Sequence, residues 1–348
     1  MKRFEKIAKR YALANSYFKN RLLIWPDTLC EIHDYLQQHG ELPFRYDGDN
    51  WPYDALCEQQ KRRGVRLSQY LTPDATARQI AALAVRYFEN DSRIMDVCCG
   101  TGQLTRALIA AGVHPSQIVG LEVDRELADF YARLYPVTQT LIGPYRDIDF
   151  RCENIVANPP FGGAEDKSVK NNFPSESQTS ETADLFMALI MHLLKDKGRC
   201  GIVLPDGFMF GIAPDNKVKE TIKEKLLKEY GLHTIIRLPQ VFKPYAQVNT
   251  NLLFFQKGVA SRGVWFYRLD YPEGVKSFTK TKPMQDKHFD PVREWWDNKK
   301  PITVDGKDKA RFFTAEELKD LHYNLDKCCP FPHEEEEILE PSELIARY

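Results

Sequence analysis

The stretch Asn154-Ile155-Val156-Ala157-Asn158-Pro159-Pro160-Phe161 places a short apolar run directly before two consecutive prolines. The apolar half is typical of a buried strand in a parallel sheet. Consecutive prolines have a fixed φ and no backbone donor, so neither a helix nor a strand ladder can continue through them. The residues from Asn158 onward therefore lie just past the carboxyl end of a strand, where open α/β sheets form their ligand crevice.

The groups that follow this strand suit a reaction at a weakly nucleophilic amine. The lone pair of the exocyclic amine of adenine is delocalised into the ring. The Asn158 side-chain oxygen and the Pro159 carbonyl could accept its two N–H groups and favour a pyramidal nitrogen. Phe161 could stack on a base extruded from a duplex. An ordinary turn is the alternative, because Asn-Pro and Pro-Pro are common in loops.

Composition describes an ordinary globular protein of 348 residues, with 43% hydrophobic and 28% charged residues. No apolar run could span a bilayer and the amino terminus is polar, which predicts a cytoplasmic protein without membrane contact. The eight cysteines include no Cys-x-x-Cys spacing, so no metal site is expected. The formal net charge is −1, whereas proteins that hold DNA alone are usually basic. If the substrate is DNA, we expect a partner to supply much of the grip.

A glycine loop follows the first strand of an alternating α/β pattern. Residues 93–98 form an apolar strand, and Cys99-Gly100-Thr101-Gly102 leads from it into a helix. Strand, glycine loop and helix together open a nucleotide-type crevice. The third glycine of the dinucleotide fingerprint is missing, which disfavours a dehydrogenase.

Acidic residues follow the next two strands. Glu122 ends the strand at residues 117–121, and a carboxylate in that position can accept both hydroxyls of a ribose. Asp147 follows a strand at residues 138–142 and could accept from an adenine amine. Since parallel strands have their carboxyl ends at one edge of a sheet, we expect these acids to converge with Asn158.

Two further local patterns lead to structural predictions. Thr72 and Pro73 indicate a helix start, with Thr72 as the N-cap and Pro73 at the first helical position. The free N–H groups of such a helix end suit a carboxylate. Residues 234–239 and 251–255 are apolar strands with a short connection, which predicts an antiparallel pair at the edge of the sheet.

With these motifs in order, the chain resembles the amino-group (N6-adenine) DNA methyltransferases, and most of all the modification (M) subunit of type I restriction-modification systems. Ser68-Gln69-Tyr70-Leu71-Thr72-Pro73 resembles the motif that holds the amino-acid end of S-adenosylmethionine. The stretch from Asp96 to Gly102 resembles the family loop Asp-Pro-Ala-Cys-Gly-Thr-Gly, with Val97-Cys98 in place of Pro-Ala. Asn158-Pro159-Pro160-Phe161 matches the catalytic motif, whose second proline also packs on the cofactor.

The resemblance implies S-adenosylmethionine as cofactor and assigns two sets of residues. The catalytic set is Asn158, Pro159, Pro160 and Phe161. The cofactor-binding set is Gln69, Tyr70, Thr72, Pro73, Asp96, Cys98, Gly100, Thr101, Gly102, Glu122, Asp147, Asn158 and Pro160.

The expected fold is α/β: the S-adenosylmethionine-dependent methyltransferase (Rossmann-like) fold, with a mixed seven-stranded sheet and helices on both faces. We expect an N-terminal helical region at 1–66 and a catalytic domain at 67–258. A C-terminal extension at 259–348, with a strand at 264–267, would pack on the catalytic domain or on a partner.

The resemblance also implies partners. The expected substrate is double-stranded DNA with a flipped adenine. Because no stretch looks like a target-recognition domain, a separate specificity subunit would supply sequence preference, and a restriction subunit could join it. Two alternatives stay open: methylation of a protein glutamine or of RNA, and a partner-dependent scaffold that is inactive alone.

Overall fold

In the computed structural model the described residues are 72–142, 149–161, 170–171, 173–210, 217–242, 247–279 and 282–328. The predicted N-terminal helical region, 1–66, lies outside them, as do Gln69, Tyr70 and Asp147. Within the described ranges, every helix is too short or too polar to cross a lipid bilayer.

A single mixed sheet forms the centre of the described chain. Its strands are β1 (Ile94–Val97), β2 (Ile118–Glu122), β3 (Gln139–Ile142), β4 (Cys152–Ala157), β5 (Leu194–Pro205), β6 (Thr234–Leu238), β7 (Thr250–Gln256), β8 (Gly263–Arg268), β9 (Ile302–Val304) and β10 (Lys307–Thr314). Their order across the sheet is β3-β2-β1-β4-β5-β7-β6-β8-β10-β9. Strands β1 to β5 are parallel, β7 is antiparallel to β5 and β6, and β8 is parallel to β6.

Helices cover both faces of this sheet. They are α1 (Asp74–Tyr87), α2 (Gln103–Ala110), α3 (Arg125–Leu134), α4 (Thr182–Leu193), α5 (Asp206–Met209), α6 (Lys217–Lys228), α7 (Asp290–Asp297) and α8 (Ala315–Asp320). Ile94 and Val156 pack in one apolar cluster with α1 and α2. Met95 and Ile155 pack in a second cluster with α4 and α6. Successive strand residues therefore serve opposite faces, as the pleat requires.

Burial on both faces explains why the inner strands are recognisable in the sequence. Every residue of β1, β2 and β6 is buried. Strands in that environment are apolar at nearly every position, because no face is left for water. The predicted mixed α/β class with helices on both faces is confirmed.

Within the described residues the sheet has ten strands and not the seven that were predicted. The additional strands are β8, β9 and β10, which all come from the segment after residue 258. Most residues of β9 and β10 are exposed or half-buried. Such strands carry no apolar run, so their sequences give no signal of the pairing with β8.

The antiparallel pair β6 and β7 is not at the edge of the sheet, contrary to the prediction. Strand β7 lies between β5 and β6, and β8 pairs with the other side of β6. That pairing is parallel and brings Thr234 opposite Trp265. A parallel partner from later in the chain cannot be inferred from the short β6–β7 connection.

The strand order reverses between β1 and β4. From β1 the chain proceeds outward to β2 and β3, and it then returns to the opposite side of β1 to form β4 and β5. Ligands of open α/β sheets bind outside the carboxyl ends of the strands at such a switch point. Val97 and Ala157 are the last residues of the two strands and are paired in register, so Cys98 and Asn158 begin the two walls of a crevice.

Candidate active site

The loop after β1 turns back sharply in a left-handed conformation. Gly102 has φ +80°, and Cys98 and Gly100 also have positive φ. A Cβ atom on Gly102 would lie 2.2 Å from Cε2 of Tyr135, whose hydroxyl donates to the Gly102 carbonyl at 3.1 Å. Both backbone conformation and packing therefore require glycine at 102.

Asp96 is the buried acid of this wall. Its side chain is 1% exposed. Oδ2 accepts from the Thr105 amide at 3.0 Å and from the Thr105 hydroxyl at 2.8 Å. Oδ1 is buried and has no hydrogen-bond partner among the described residues. Burial raises the pKa of Asp96 to about 7; the Thr105 hydrogen bonds lower it, and nearby Glu122 raises it.

Glu122 connects the end of β2 to the glycine loop. Its Oε2 accepts from the Gly100 amide at 2.9 Å, and its Oε1 accepts from the amides of Val123 and Asp124 at 2.9 and 3.0 Å. Burial raises its pKa, and the three amide hydrogen bonds oppose that shift. The carboxylate thus holds the loop in place, a role that the sequence did not indicate. Its oxygens retain acceptor capacity for a ligand hydroxyl.

Asn158 lies at the tip of β4 and is held by Thr72. Its side-chain Nδ2 donates to Thr72 Oγ1 at 2.8 Å, and both residues are buried. Because the amide nitrogen makes this bond, the amide oxygen is the atom that could accept from a substrate amine.

Thr72 does not cap helix α1, contrary to the prediction. The helix begins at Asp74, and Pro73 is the N-cap residue, with extended ψ of 143° and no side-chain cap. The Thr72 hydroxyl accepts from Asn158 instead of from a backbone amide of the helix.

A cavity lies between these walls. It is lined by Thr72, Asp96, Cys98, Cys99, Gln103, Leu104 and Asn158. Four predicted residues from three distant segments therefore converge, namely Thr72, Asp96, Cys98 and Asn158. The other described residues of the predicted site do not line the cavity. Most of them are close in sequence to residues that do, and Glu122 is joined to the glycine loop by its bond to Gly100. These residues are Pro73, Gly100, Thr101, Gly102, Glu122, Pro159, Pro160 and Phe161.

Sequence reasoning missed Gln103 as a wall residue. Gln103 is the first residue of α2 and is buried. Its position directly after the glycine loop was the available signal, because a helix that begins at such a loop points its first turn at the crevice. An amide there can donate and accept hydrogen bonds.

Phe161 is more enclosed than a base-stacking ring would be. Its side chain is 6% exposed. The ring contacts Phe242 edge-on, with centroids 4.8 Å apart and an interplanar angle of 77°. A base could reach the Phe161 ring face only if neighbouring residues moved.

Known proteins resemble this chain over most of its length. A family model described as N-6 DNA Methylase matches residues 53–337. The type I restriction enzyme EcoEI methylase subunit of Escherichia coli is 43% identical over 213 residues, which is 60% of this chain and 42% of that protein. The chain therefore spans less than half the length of this relative.

Solved structures agree with the family model. One is a modification subunit provisionally assigned to a type I restriction enzyme of Vibrio vulnificus YJ016, with TM-score 0.63 and 30% identity, covering 79% of this chain and 63% of that chain. Another, from Listeria monocytogenes, is provisionally assigned to the class I S-adenosylmethionine-dependent methyltransferases. Its TM-score is 0.56 at 18% identity, over 85% of this chain and 98% of that chain, which shows a shared fold alone. Because the family model spans most of the sequence and the fold agrees with it, this chain belongs to the N-6 DNA Methylase family.

Proposed function

We propose that this chain transfers a methyl group from S-adenosylmethionine to the N6 amine of adenine in DNA, as the modification subunit of a type I restriction-modification system. One observation supports the proposal most: Asp96, at the end of β1, and Asn158, at the end of β4, line the same cavity at the switch point of the sheet. A donor site and an acceptor site would thus adjoin.

The residues of the cavity fit the proposed cofactor. When bound, S-adenosylmethionine supplies a methyl group on a positively charged sulfur. Asp96 Oδ1 is a buried carboxylate oxygen that lacks a partner among the described residues, and it would accept from the ammonium group of the amino-acid end. Glu122 would accept from the ribose hydroxyls. Gln69, Tyr70 and Asp147, outside the described residues, stay predicted contacts for the amino-acid end and the adenine ring.

Asn158 and Pro159 would prepare the substrate amine. The Asn158 amide nitrogen donates to Thr72. This bond would fix the side chain before the substrate binds, with its oxygen directed at the amine, so no further side-chain freedom would be lost in the reaction. The Pro159 carbonyl is the second acceptor, and Pro160 would border the cofactor. Two acceptors on one amine favour the pyramidal nitrogen that attack requires, and positioning then does most of the catalytic work. Phe161 would stack on the extruded base once its neighbours have moved.

A partner would supply the grip on DNA. The net charge of −1 gives little attraction for phosphates. The relatives are named as subunits of restriction enzymes. We therefore infer that a specificity subunit contacts the DNA and that a restriction subunit belongs to the same assembly. A chromosomal DNA substrate would place this assembly in the cytoplasm.

Replacement of Asn158 by alanine tests the mechanism. In Asn158→Ala we expect methylation to fall by about 100-fold or more, because one of two acceptors on the amine is lost. We expect the affinity for S-adenosylmethionine to change little. Transfer of a labelled methyl group to duplex DNA measures methylation, with cell extract of the source organism supplying partner subunits. Calorimetric titration measures the affinity for S-adenosylmethionine.

A control variant and the identity of the labelled acceptor distinguish the proposed function from the alternatives. Asn298 follows α7 and is exposed, so Asn298→Ala should behave as wild type. Unchanged transfer by Asn158→Ala would remove Asn158 from the mechanism. Label found in RNA or in a protein glutamine, and not in DNA, would favour the other acceptors. Cofactor binding without any transfer, even with extract, would favour the scaffold.

A further inference from the structure

A hydrogen-bonded chain of three side chains runs from α3 to the cavity. The Tyr131 hydroxyl lies 2.8 Å from Thr105 Oγ1, and Thr105 Oγ1 lies 2.8 Å from Asp96 Oδ2. All three residues are buried, and Tyr131 is 0% exposed. Asp96 lines the cavity, whereas Tyr131 and Thr105 do not. The hydrogen bonds that link these two residues to the cavity pass through Asp96.

The direction of each hydrogen bond follows from the chemistry of the groups. Asp96 Oδ2 already accepts from the Thr105 amide, so the Thr105 hydroxyl donates its single proton to the same oxygen. The Thr105 oxygen then accepts from Tyr131, whose hydroxyl stays protonated because burial raises its pKa. With the Thr105 amide as second donor to Oδ2, rotation of the carboxyl group would break two hydrogen bonds. Oδ1 is the oxygen that has no hydrogen-bond partner among the described residues, and Asp96 lines the cavity.

A glycine in the neighbouring strand makes room for this arrangement. Gly120 is paired directly with Asp96 between β2 and β1. A Cβ atom on Gly120 would lie 2.4 Å from Cε1 of Tyr131 and 2.9 Å from its hydroxyl oxygen. Glycine usually weakens the interior of a strand, and its presence often marks a close approach of another group. Here that group is the tyrosine ring.

We propose that Tyr131 is a positioning residue of the cofactor site: through Thr105, it orients the Asp96 carboxylate toward the amino group of the methyl donor. The inference rests on the proposed function. It adds an explanation of why the site would select a donor that carries an amino-acid end. The donor is recognised by its ammonium group, which only a fixed and ionised carboxylate binds strongly. A rotating carboxylate would distribute its charge between the cavity and the protein.

Two nucleosides that differ in one group test the inference. S-Adenosylhomocysteine has the α-amino group, and a deaminated analogue lacks only that group. Wild-type protein should bind the first about 10-fold to 100-fold more tightly, since a hydrogen bond to a charged group is lost in the second. In Tyr131→Phe and Thr105→Val we expect this preference to fall several-fold. The affinity for the deaminated analogue should stay unchanged in both variants.

Conservative variants separate positioning from folding. Thr105→Ser keeps the hydroxyl and should keep the preference, whereas Thr105→Val should lose it. Tyr230 donates its hydroxyl to the Met191 carbonyl at 3.2 Å, away from the cavity, so Tyr230→Phe is the matched control. Thermal unfolding shows which variants are folded. If Tyr131→Phe is not folded, the comparison of Thr105→Ser with Thr105→Val tests the inference.

The outcomes distinguish this inference from the proposed function. A wild-type preference in both Tyr131→Phe and Thr105→Val would overturn the inference and leave the proposed function intact. Equal binding of the two nucleosides by the wild type would overturn the role of Asp96 and with it the inference. Binding of neither nucleoside would overturn the cofactor assignment itself.

Discussion

At the scale of single residues, Asp96 combines the cofactor contact that we propose for it with a cost in stability. The carboxyl group is buried, and Oδ1 has no hydrogen-bond partner in the described part of the chain. Burial raises its pKa to about 7. Among the described residues, the titratable groups that interact electrostatically with Asp96 are Glu122, Cys99, Tyr131 and Tyr135, none of them cationic. A cationic ligand is therefore the group that would stabilise the charged form.

The substitution Asp96→Asn should stabilise the folded protein at high pH. The pKa of an unfolded aspartate is 3.8 and that of folded Asp96 is about 7. Between these values only the folded state holds the proton, so the free energy of unfolding of the wild type falls as pH rises through this window. Asparagine removes that penalty, which amounts to at most about 4 kcal/mol.

Denaturant unfolding at pH 5 and at pH 8 measures this effect. The gain of Asp96→Asn over the wild type should be larger at pH 8, and binding of S-adenosylmethionine should be lost. An equal loss of stability at both pH values would show that Asp96 is not a buried, neutralised acid.

At the scale of elements, a buried ion network joins the ends of β5, β6 and the C-terminal segment. Arg237 of β6 donates to Asp206 Oδ2 at 2.6 Å and also pairs with Asp326. The Asn251 side chain of β7 donates to Asp206 Oδ1 at 2.8 Å. The arginine and both carboxylates are largely buried. One guanidinium thus neutralises two acids that belong to different elements.

Replacement of this arginine should be strongly destabilising. In Arg237→Leu we expect the free energy of unfolding to fall by about 3–5 kcal/mol, because two carboxylates lose their buried partner. Lys195→Leu is the control: it removes an exposed pair with Glu153, which should matter little. Urea denaturation measures both. Similar losses in the two variants would mean that solvent reaches the network.

At the scale of the whole molecule, the segment after residue 258 is part of the sheet. Strand β8 pairs with β6. Val264 and Phe266 belong to the apolar cluster of one face, and Tyr267 belongs to that of the other. Asp286 accepts from Arg78 Nε of α1 at 3.0 Å, so the same segment also holds the helix that follows Thr72.

Removal of this segment should prevent stable folding. A chain that ends at residue 258 exposes the full length of β6 and removes apolar residues from both clusters, so we expect aggregation or loss of fixed packing. A chain that ends at residue 328 keeps all ten described strands and should fold. Gel filtration and near-ultraviolet circular dichroism compare the two. A folded monomer of 1–258 would support the separate catalytic domain predicted at 67–258.

Much of the central sheet could be predicted because its signals are local. Strands buried on both faces are apolar at successive positions, and the alternation with helices makes them parallel. The glycine loop and the tip of β4 could be placed on that basis. Strands β9 and β10 could not, since their residues are mostly exposed. The bond from Asn158 to Thr72 joins residues 86 positions apart, and no local pattern indicates it.

By itself, the order of residues determined the class of the fold, the strands that end in the crevice and the family, because apolar runs and turn residues act over a few neighbours. Only the tertiary structure decided which atoms of those residues the protein itself engages. The Asn158 nitrogen donates to Thr72, and the Thr105 hydroxyl donates to one oxygen of Asp96. Such choices depend on hydrogen-bond partners that meet only when the chain is folded.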